Sequence, residues 1–286
     1  MPSHNSGILE PPSAAFQDGS GDSEVRELRA RAARRDVSER RRIADRLRQA
    51  LTHQGFLLHY QPYLNLKAGR MEGAEAVIRL RHRRRGLILP HHFMPVAEHY
   101  EVINDIGAWM LHRACADAAH WPANVNVSVR LAHRQLRSGH LIKHLIEALT
   151  RTNLASERLE LCLSEAMLID DDPDTIFTIK ALASLGVRLA LHDFGTGHAS
   201  LAALKRLPLS TLRLDRQMVQ RLGQDYGDNA IVHAAIEAGH AMGCSVLADG
   251  VESEAQSRLL QDIGCDEAQG PYFAQPVAAE DFLKRF

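Results

Sequence analysis

Polar side chains end several strand-like segments of this sequence, and their types suit metal or phosphate chemistry. In the segment 185–197, LGVRLALHDFGTG, apolar residues alternate with others, which predicts a strand that ends in His192 and Asp193. Gly195 and Gly197 follow in a glycine-bearing turn. Parallel α/β proteins carry their chemistry at the carboxyl ends of strands. We therefore expect His192 and Asp193 to belong to a functional site.

Six further predicted strands also end in polar residues. In chain order these are Glu75, Asn126, Cys162 with Glu165, Arg213 with Asp215, Asp249 with Glu252, and Gln269. Taken singly, Glu75 or Asp215 is typical of a paired structural carboxylate, and Cys162 of a small buried apolar residue. A ring of carboxylates and amides inside a fold, however, must pair with charges, bind a metal or bind a polar ligand.

Alternating strand and helix patterns position these residues. The predicted strands are 56–66, 71–80, 124–129, 158–164, 187–193, 210–215, 244–248 and 266–273, and the stretch 131–150 is predicted to be mostly helical. Eight strands with intervening helices predict an α/β fold, a (β/α)₈ barrel. The turn at 67–70 is so short that the first two strands are expected to be antiparallel. A doubly wound sheet is the alternative, although no GxGxxG follows the first strand.

Composition narrows the class of protein. The chain has 286 residues, of which 45% are hydrophobic and 24% charged, as in soluble globular proteins. The net charge of −1 predicts neither DNA binding nor attraction to a membrane surface. No apolar run reaches the roughly 18 residues of a membrane span. The four cysteines lack CxxC spacing, which suits a reducing cytoplasm.

Three regions are predicted along the chain. Residues 1–22 are rich in Ser, Gly and Pro and are expected to form a disordered tail. Residues 23–50 have apolar residues at helical spacing among many arginines, which predicts an amphipathic helical linker. This helix either packs on the barrel as a solvated element or acts in dimerisation or signal transmission. Residues 51–286 are expected to form the barrel domain.

Several segments resemble motifs of one protein family and follow one another in the same order as in that family. They are LLHYQP (57–62), GAEAVIRLRH (73–82), FMPVAE (93–98), VNVS (125–128), RLELCLSE (158–165), LGVRLALHDFGTGHASL (185–201), LPLSTLRLDR (207–216), VLADGVES (246–253) and AQGPYFAQP (268–276). The chain resembles the EAL domain family, which hydrolyses the bacterial second messenger cyclic di-GMP. The resemblance implies a TIM-like barrel with an antiparallel first strand. The arginine-rich helix resembles the linker that often precedes such domains.

The resemblance also implies a metal site that is altered here. Active members of the family bind Mg²⁺ or Mn²⁺, hard cations that prefer oxygen ligands. Glu75, in the motif EAV in place of EAL, and Asn126 match two ligand positions, whereas Cys162 and His192 stand where the family has carboxylates. A few extra residues, 130–133, are expected to follow the Asn126 motif.

The remaining catalytic positions are also changed, while the ligand-binding positions are kept. Asp249 stands at the position of the family's general-base glutamate, and Arg213 at that of its lysine. The resemblance implies that the dinucleotide is bound by Gln61, Arg79, Asp193, Asp215, Glu252 and Gln269. It also implies that Glu165, Gly195 and Gly197 belong to a loop that couples the site to dimerisation.

Three functions are compatible with these residues. The leading hypothesis is a non-catalytic cyclic di-GMP receptor in bacterial signal transduction, with no cofactor. The second is a weak or metal-shifted phosphodiesterase that yields pGpG with Mg²⁺, Mn²⁺, or Zn²⁺ at Cys162 and His192. The third is a protein-interaction module without nucleotide binding. The partners expected are cyclic di-GMP, a second copy of the chain and an unidentified protein, whose expected contact surface includes His198 and Ala199.

Overall fold

A computed structural model of the protein describes residues 37–168, 172–197 and 201–284. The predicted tail 1–22 and most of the predicted helical linker lie outside these ranges, as do His198 and Ala199. The chain divides into two units, residues 1–43 and residues 44–286. Of the first unit only 37–43 are described, and they are helical. The second unit contains all the strands given below.

Strands and helices alternate along the second unit. The strands of the described chain are β1 (Phe56–Asn65), β2 (Arg70–His82), β3 (Gly86–Ile88), β4 (Asn126–Arg130), β5 (Leu159–Ser164), β6 (Arg188–Phe194), β7 (Thr211–Leu214), β8 (Ser245–Asp249), β9 (Glu267–Gln269) and β10 (Val277–Ala278). Its α-helices are α1 (37–52), α2 (Met94–His99), α3 (Ile103–Ala118), α4 (His133–Leu136), α5 (Leu141–Thr152), α6 (Pro173–Ser184), α7 (Leu201–Leu204), α8 (Arg216–Arg221), α9 (Tyr226–Ala241), α10 (Glu254–Asp262) and α11 (Ala279–Leu283).

Eight of the strands close into a barrel. The order β1-β9-β8-β7-β6-β5-β4-β2 is completed by pairing of β2 with β1. Within the barrel, β2 is parallel to β4, and the neighbouring strands from β4 through β9 are also parallel, while β1 is antiparallel to both β2 and β9. The predicted TIM-like barrel with an antiparallel first strand is therefore confirmed.

The alternation of residues in β1 shows how the barrel is built. Phe56, Leu58 and Tyr60 are buried on its outer face, where Tyr60 stacks edge-to-face on Trp121 at 4.8 Å. The residues that alternate with them along β1, including Gln61, face the barrel interior, since successive side chains of a strand point to opposite sides. The outer face thus supplies apolar packing, and the inner face is left for polar groups.

The stretch 131–150 is mostly helical, as predicted. It is divided into two helices, α4 and α5, because Gly139 adopts a left-handed conformation (φ +71°) between them. Of residues 130–133, expected as extra residues after the Asn126 motif, Arg130 ends β4 and His133 begins α4. Across the described residues, none of the helices has the length and apolar character of a membrane span.

Candidate ligand-binding site

A cleft with a cavity volume of about 500 Å³ opens at one end of the barrel. Five of the residues predicted as site residues line it, namely Gln61, Glu75, Arg79, Asp249 and Gln269. They come from four strands, β1, β2, β8 and β9, whose registers align Gln61 with Glu75 and Asp249 with Gln269. The barrel thus brings together residues that are far apart in the sequence.

Arg130 lies among the carboxylates of this cleft. Its Nε donates to Oε1 of Glu75 at 2.6 Å, and its Nη2 donates to Oδ2 of Asp249 at 3.1 Å. Nη1 lies 3.8 Å from Oδ1 of Asp193. A guanidinium group with bidentate or multiple carboxylate contacts is a strong and oriented ion pair. Arg130 is not among the site residues predicted from the sequence.

A second guanidinium lies below the first, inside the barrel. Arg213, which is 2% exposed, donates from Nη1 to Oε2 of Glu75 at 3.0 Å and from Nη2 to Oε1 of Glu160 at 2.5 Å. Glu160 also accepts from the hydroxyls of Ser128 and Thr211. The predicted replacement for the family's lysine is therefore a buried cation that joins two buried carboxylates.

These contacts determine the charge states of the cleft. Burial alone would raise the pKa of Glu75, but Arg130 and Arg213 outweigh it and hold that pKa well below its usual range. The pKa of Asp249 is raised, first by burial and then by the nearby Glu75, despite the opposing effect of Arg130. Glu75 is accordingly the ionised partner of both arginines.

The amide and guanidinium groups of the cleft are held by local contacts. Gln61 donates to the carbonyl of Ala274 at 3.4 Å, and Arg79 donates to the carbonyl of Ile78 at 3.1 Å. Gln269 donates from Nε2 to Glu75 at 3.2 Å, while its Oε1 is buried without a hydrogen-bond partner among the described residues. This orphaned acceptor and the Arg79 guanidinium are polar groups that a ligand in the cleft can satisfy.

The structure places the four predicted metal-ligand positions differently from one another. Glu75 is in the cleft, and its register partner on β4 is Ser128. Asn126 lies two residues earlier, at the start of β4, where it pairs with Gly73. Cys162 is buried in β5, where its Sγ donates to Glu160 at 3.8 Å, and burial raises the pKa of its thiol. His192 is buried with its Nδ1 at 2.7 Å from Asp193.

Three further predicted residues have structural contacts away from the cleft lining. Asp215 caps α8 by accepting from the backbone N–H of Gln217 at 2.9 Å. Glu252 accepts from Arg216, which itself lines the cleft, at 2.7 Å. Glu165 accepts from Thr196 at 2.9 Å. These contacts fix the loops beside the cleft.

The two glycines of the predicted loop have left-handed backbones. The φ angles are +104° at Gly195 and +88° at Gly197. A Cβ at Gly195 would lie 2.2 Å from the sulfur of Met218, so this glycine also allows a close approach. Asp193, with φ +59°, is a non-glycine residue in the same conformation.

A Mg²⁺ or Mn²⁺ ion does not fit the residues that line this cleft. Such an ion needs carboxylate oxygens that are free to turn toward it. Both oxygens of Glu75 are engaged by Arg130, Arg213 and Gln269, and the Cys162 thiol is kept protonated by burial. In the part of the chain that the structure describes, no group of three or more His, Cys, Asp or Glu residues is arranged to hold a metal ion.

The alternation of side-chain direction along β4 is the sequence feature that could have identified Arg130 as a site residue. Ser128 and Arg130 lie two residues apart and therefore on the same face of the strand, directed into the barrel. A strand that ends in an inward arginine indicates a cation between the carboxylates of neighbouring strands. That signal is weak without the fold, because the sequence does not say which strands are neighbours.

Comparison with known families and proteins identifies relatives of this fold and site. The sequence family described as the EAL domain matches residues 44–276. The chain is 36% identical over 252 residues to the bifunctional diguanylate cyclase/cyclic di-GMP phosphodiesterase MucR of Pseudomonas aeruginosa, covering 87% of this chain and 37% of that protein. It is 35% identical over 253 residues to the cyclic di-GMP phosphodiesterase NbdA of the same species, covering 85% and 32%. The chain thus spans about a third of the length of these relatives.

Solved structures show the same fold. The MucR phosphodiesterase in complex with c-di-GMP is 36% identical with a TM-score of 0.81, covering 85% of this chain and all of that chain. The EAL domain of FimX from Pseudomonas aeruginosa bound to c-di-GMP is 25% identical with a TM-score of 0.77, covering 82% and 96%. Both structures were solved with c-di-GMP bound, and both have a fold similar to this one.

Proposed function

The chain belongs to the EAL domain family, and we propose that it is a non-catalytic receptor for cyclic di-GMP. One observation carries this proposal. The Glu75 carboxylate, at the position that in the family binds a metal, is held by the guanidinium groups of Arg130 and Arg213. A carboxylate paired in this way is not available to coordinate a divalent ion.

Hydrolysis by the family's chemistry needs an activated water and a base in place. Asp249, at the position of the base, carries a side chain that is shorter than glutamate by one C–C bond, about 1.5 Å. It is also ion-paired to Arg130 at 3.1 Å. Displacement by about 1 Å can reduce catalysis about 100-fold. These features support binding without turnover.

Nucleotide binding is supported by the residues that line the cleft. Gln61, Arg79 and Gln269 present an amide, a guanidinium and an unpartnered amide oxygen to one cavity. Such groups recognise guanine edges and phosphate oxygens. Two structural relatives, the MucR phosphodiesterase and the FimX EAL domain, were solved with c-di-GMP bound. We infer that this cleft is the receptor site.

Calorimetric titration with cyclic di-GMP in EDTA tests the proposal. We expect saturable binding, and we expect the affinity to fall about ten- to a hundredfold in Arg79→Ala, because a hydrogen bond to a charged ligand group is lost. The matched control is Arg83→Ala, an exposed arginine on the turn that joins β2 and β3, which should bind as wild type.

Product analysis completes the test. Incubation of cyclic di-GMP with Mg²⁺, Mn²⁺ or Zn²⁺ should leave the ligand unchanged. Formation of pGpG with any of these ions would show that the chain is a phosphodiesterase and not a non-catalytic receptor. Absence of cyclic di-GMP binding both in EDTA and with metal would favour a protein-interaction module.

A further inference from the structure

We propose that Arg130 is a phosphate-binding residue, through which the chain itself supplies the positive charge that a divalent ion would bring to the ligand. The inference rests on the proposed function, because it assumes that a phosphodiester enters the cleft. It assigns a role to a residue that neither the sequence motifs nor the family resemblance single out.

The hydrogen bonds of Arg130 leave one side of the guanidinium open. An arginine has five N–H donors in a fixed fork. Nε and Nη2 are used by Glu75 and Asp249, but the carboxylate nearest to Nη1, that of Asp193, lies 3.8 Å away. Among the described residues Nη1 makes no hydrogen bond. Its two N–H groups are therefore free to donate.

The position of Arg130 makes these donors accessible. The side chain is 36% exposed and lines the cavity together with Gln61, Arg79 and Gln269. A phosphodiester that enters the cleft can therefore meet Arg130 on one side and Arg79 on another. Guanidinium groups bind phosphate oxygens through this kind of fork.

Charge balance gives Arg130 a second reason to be present. Glu75 and Asp249 both face the cleft, and each is paired with Arg130. Without a cation between them, two carboxylates would repel an approaching phosphodiester. Arg130 both cancels this repulsion and keeps donors for the ligand, whereas a residue that only cancelled charge would have no free donor.

The arrangement is pre-organised by the barrel. Arg130 is the last residue of β4, and its register partner on β5 is Cys162. Two ion pairs to different strands, with Glu75 on β2 and Asp249 on β8, hold the guanidinium plane before any ligand arrives. A donor held in place loses little conformational entropy on binding, which favours affinity.

Titrations with cyclic di-GMP in EDTA and in Mg²⁺ test this role. Wild type should bind equally in both. Arg130→Gln should lose at least about tenfold in affinity in EDTA, because charge-assisted donors are removed. The matched control is Arg134→Gln, a nearby arginine paired with Glu101 on the surface outside this cleft. Equal affinity of Arg130→Gln and wild type would overturn the inference.

The double variant Glu75→Gln/Arg130→Gln separates a direct contact from mere charge cancellation. If Arg130 contacts the phosphate, removal of the Glu75 charge does not restore affinity. Recovery to within about threefold of wild type, a difference smaller than one charge-assisted hydrogen bond, would mean that Arg130 acts only by neutralising carboxylates. Arg130→Lys keeps the charge without the fork, so it should fold and lose several-fold in affinity even if Arg130→Gln is unstable. Unchanged affinity in Arg130→Lys would also contradict the role.

The same titrations distinguish the two proposals. Absence of wild-type binding would remove the receptor function itself. Wild-type binding that is indifferent to Arg130 variants would remove only the inference made here.

Discussion

Arg213 is a buried cation whose partners are also buried. Its guanidinium joins Glu75 to Glu160. The guanidinium carbon Cζ lies 5.6 Å from the centroid of the Tyr63 ring, which adds a cation–π contact. Because none of these groups can reach water, the charges depend on one another. Removal of any one of these charges would therefore leave a buried partner unpaired.

Replacement of Arg213 by methionine should destabilise the protein strongly. The change leaves Glu75 without one cation and Glu160 without its closest one, and breaking a buried pair costs about 3–5 kcal/mol. Urea unfolding measures this free energy. The control is Arg258→Met, whose exposed pair with Glu254 is worth about 1 kcal/mol or less. Similar losses in the two variants would show that Arg213 is not a structural cation.

At the residue scale, the sequence predicted the positions of polar residues but not their partners. Glu75, Asp249 and Gln269 were expected at strand ends that meet, and all three line one cleft. Asp249 and Gln269 do end β8 and β9, whereas Glu75 lies in the middle of β2. The place of Arg130 between Glu75 and Asp249 could not be read in the same way, since it depends on the reach of a long side chain across strands. Asn126, expected beside Glu75, lies nearer the start of its strand.

At the scale of elements, the contact between the ends of β8 and β9 is unusually close. The backbone N–H of Val251, just after β8, donates to the carbonyl of Gln269, and the carbonyl of Val251 accepts from the N–H of Tyr272. A Cβ at Gly270 would lie 2.2 Å from the carbonyl oxygen and 2.3 Å from the nitrogen of Val251. Only glycine allows two backbones to approach in this way.

Gly270→Ala should therefore lower the thermal stability clearly. The clash is with backbone atoms that are fixed by hydrogen bonds, and overpacking of this kind costs roughly 1–3 kcal/mol or more. Gly69→Ala is the matched control, because Gly69 has φ +62° but no atom within 4 Å of its Cβ, so only backbone strain of about 1–2 kcal/mol is added. A smaller loss of melting temperature in Gly270→Ala than in Gly69→Ala would contradict the close approach.

The elements of the barrel were largely predictable, and the exceptions have local causes. Alternation of apolar residues located the strands, and the short turn after β1 gave its antiparallel direction. The division between α4 and α5 depends on the conformation at Gly139, which helical periodicity does not report. The short strands β3 and β10 pair at the ends of the sheet order, and strands of two or three residues carry too little pattern to be detected.

At the scale of the whole molecule, pH should act through buried carboxylates of opposite behaviour. Glu75 and Glu160 have lowered pKa values in the folded state. Their contribution to the free energy of unfolding is therefore complete above the ordinary glutamate pKa of about 4.3 and is lost as the pH falls below it. Glu267 behaves in the reverse way. Burial, followed by the charge of Glu160, raises its pKa from 4.5 to about 7.

Glu267→Gln should stabilise the protein at pH 8 more than at pH 5. A raised pKa in the folded state means that stability is complete below the ordinary pKa and is lost as the pH rises toward about 7. The variant does not undergo this loss of stability, which corresponds to roughly 3 kcal/mol in the free energy of unfolding. Urea unfolding at both pH values measures the difference, with the exposed Glu147→Gln as control. A stabilisation independent of pH would show that the pKa of Glu267 is not raised in the folded protein.

The way in which the barrel closes has a consequence for a chain that is still being made. β1 is translated early and finds β2 at once, but its other neighbour, β9, pairs Gln269 with Tyr63 only when almost all of the domain has left the ribosome. Until that moment one side of β1 exposes unpaired backbone groups, which nascent chains can use to pair with one another. Because β9 also brings Gln269, a partly synthesised domain lacks one of the residues that line the cleft.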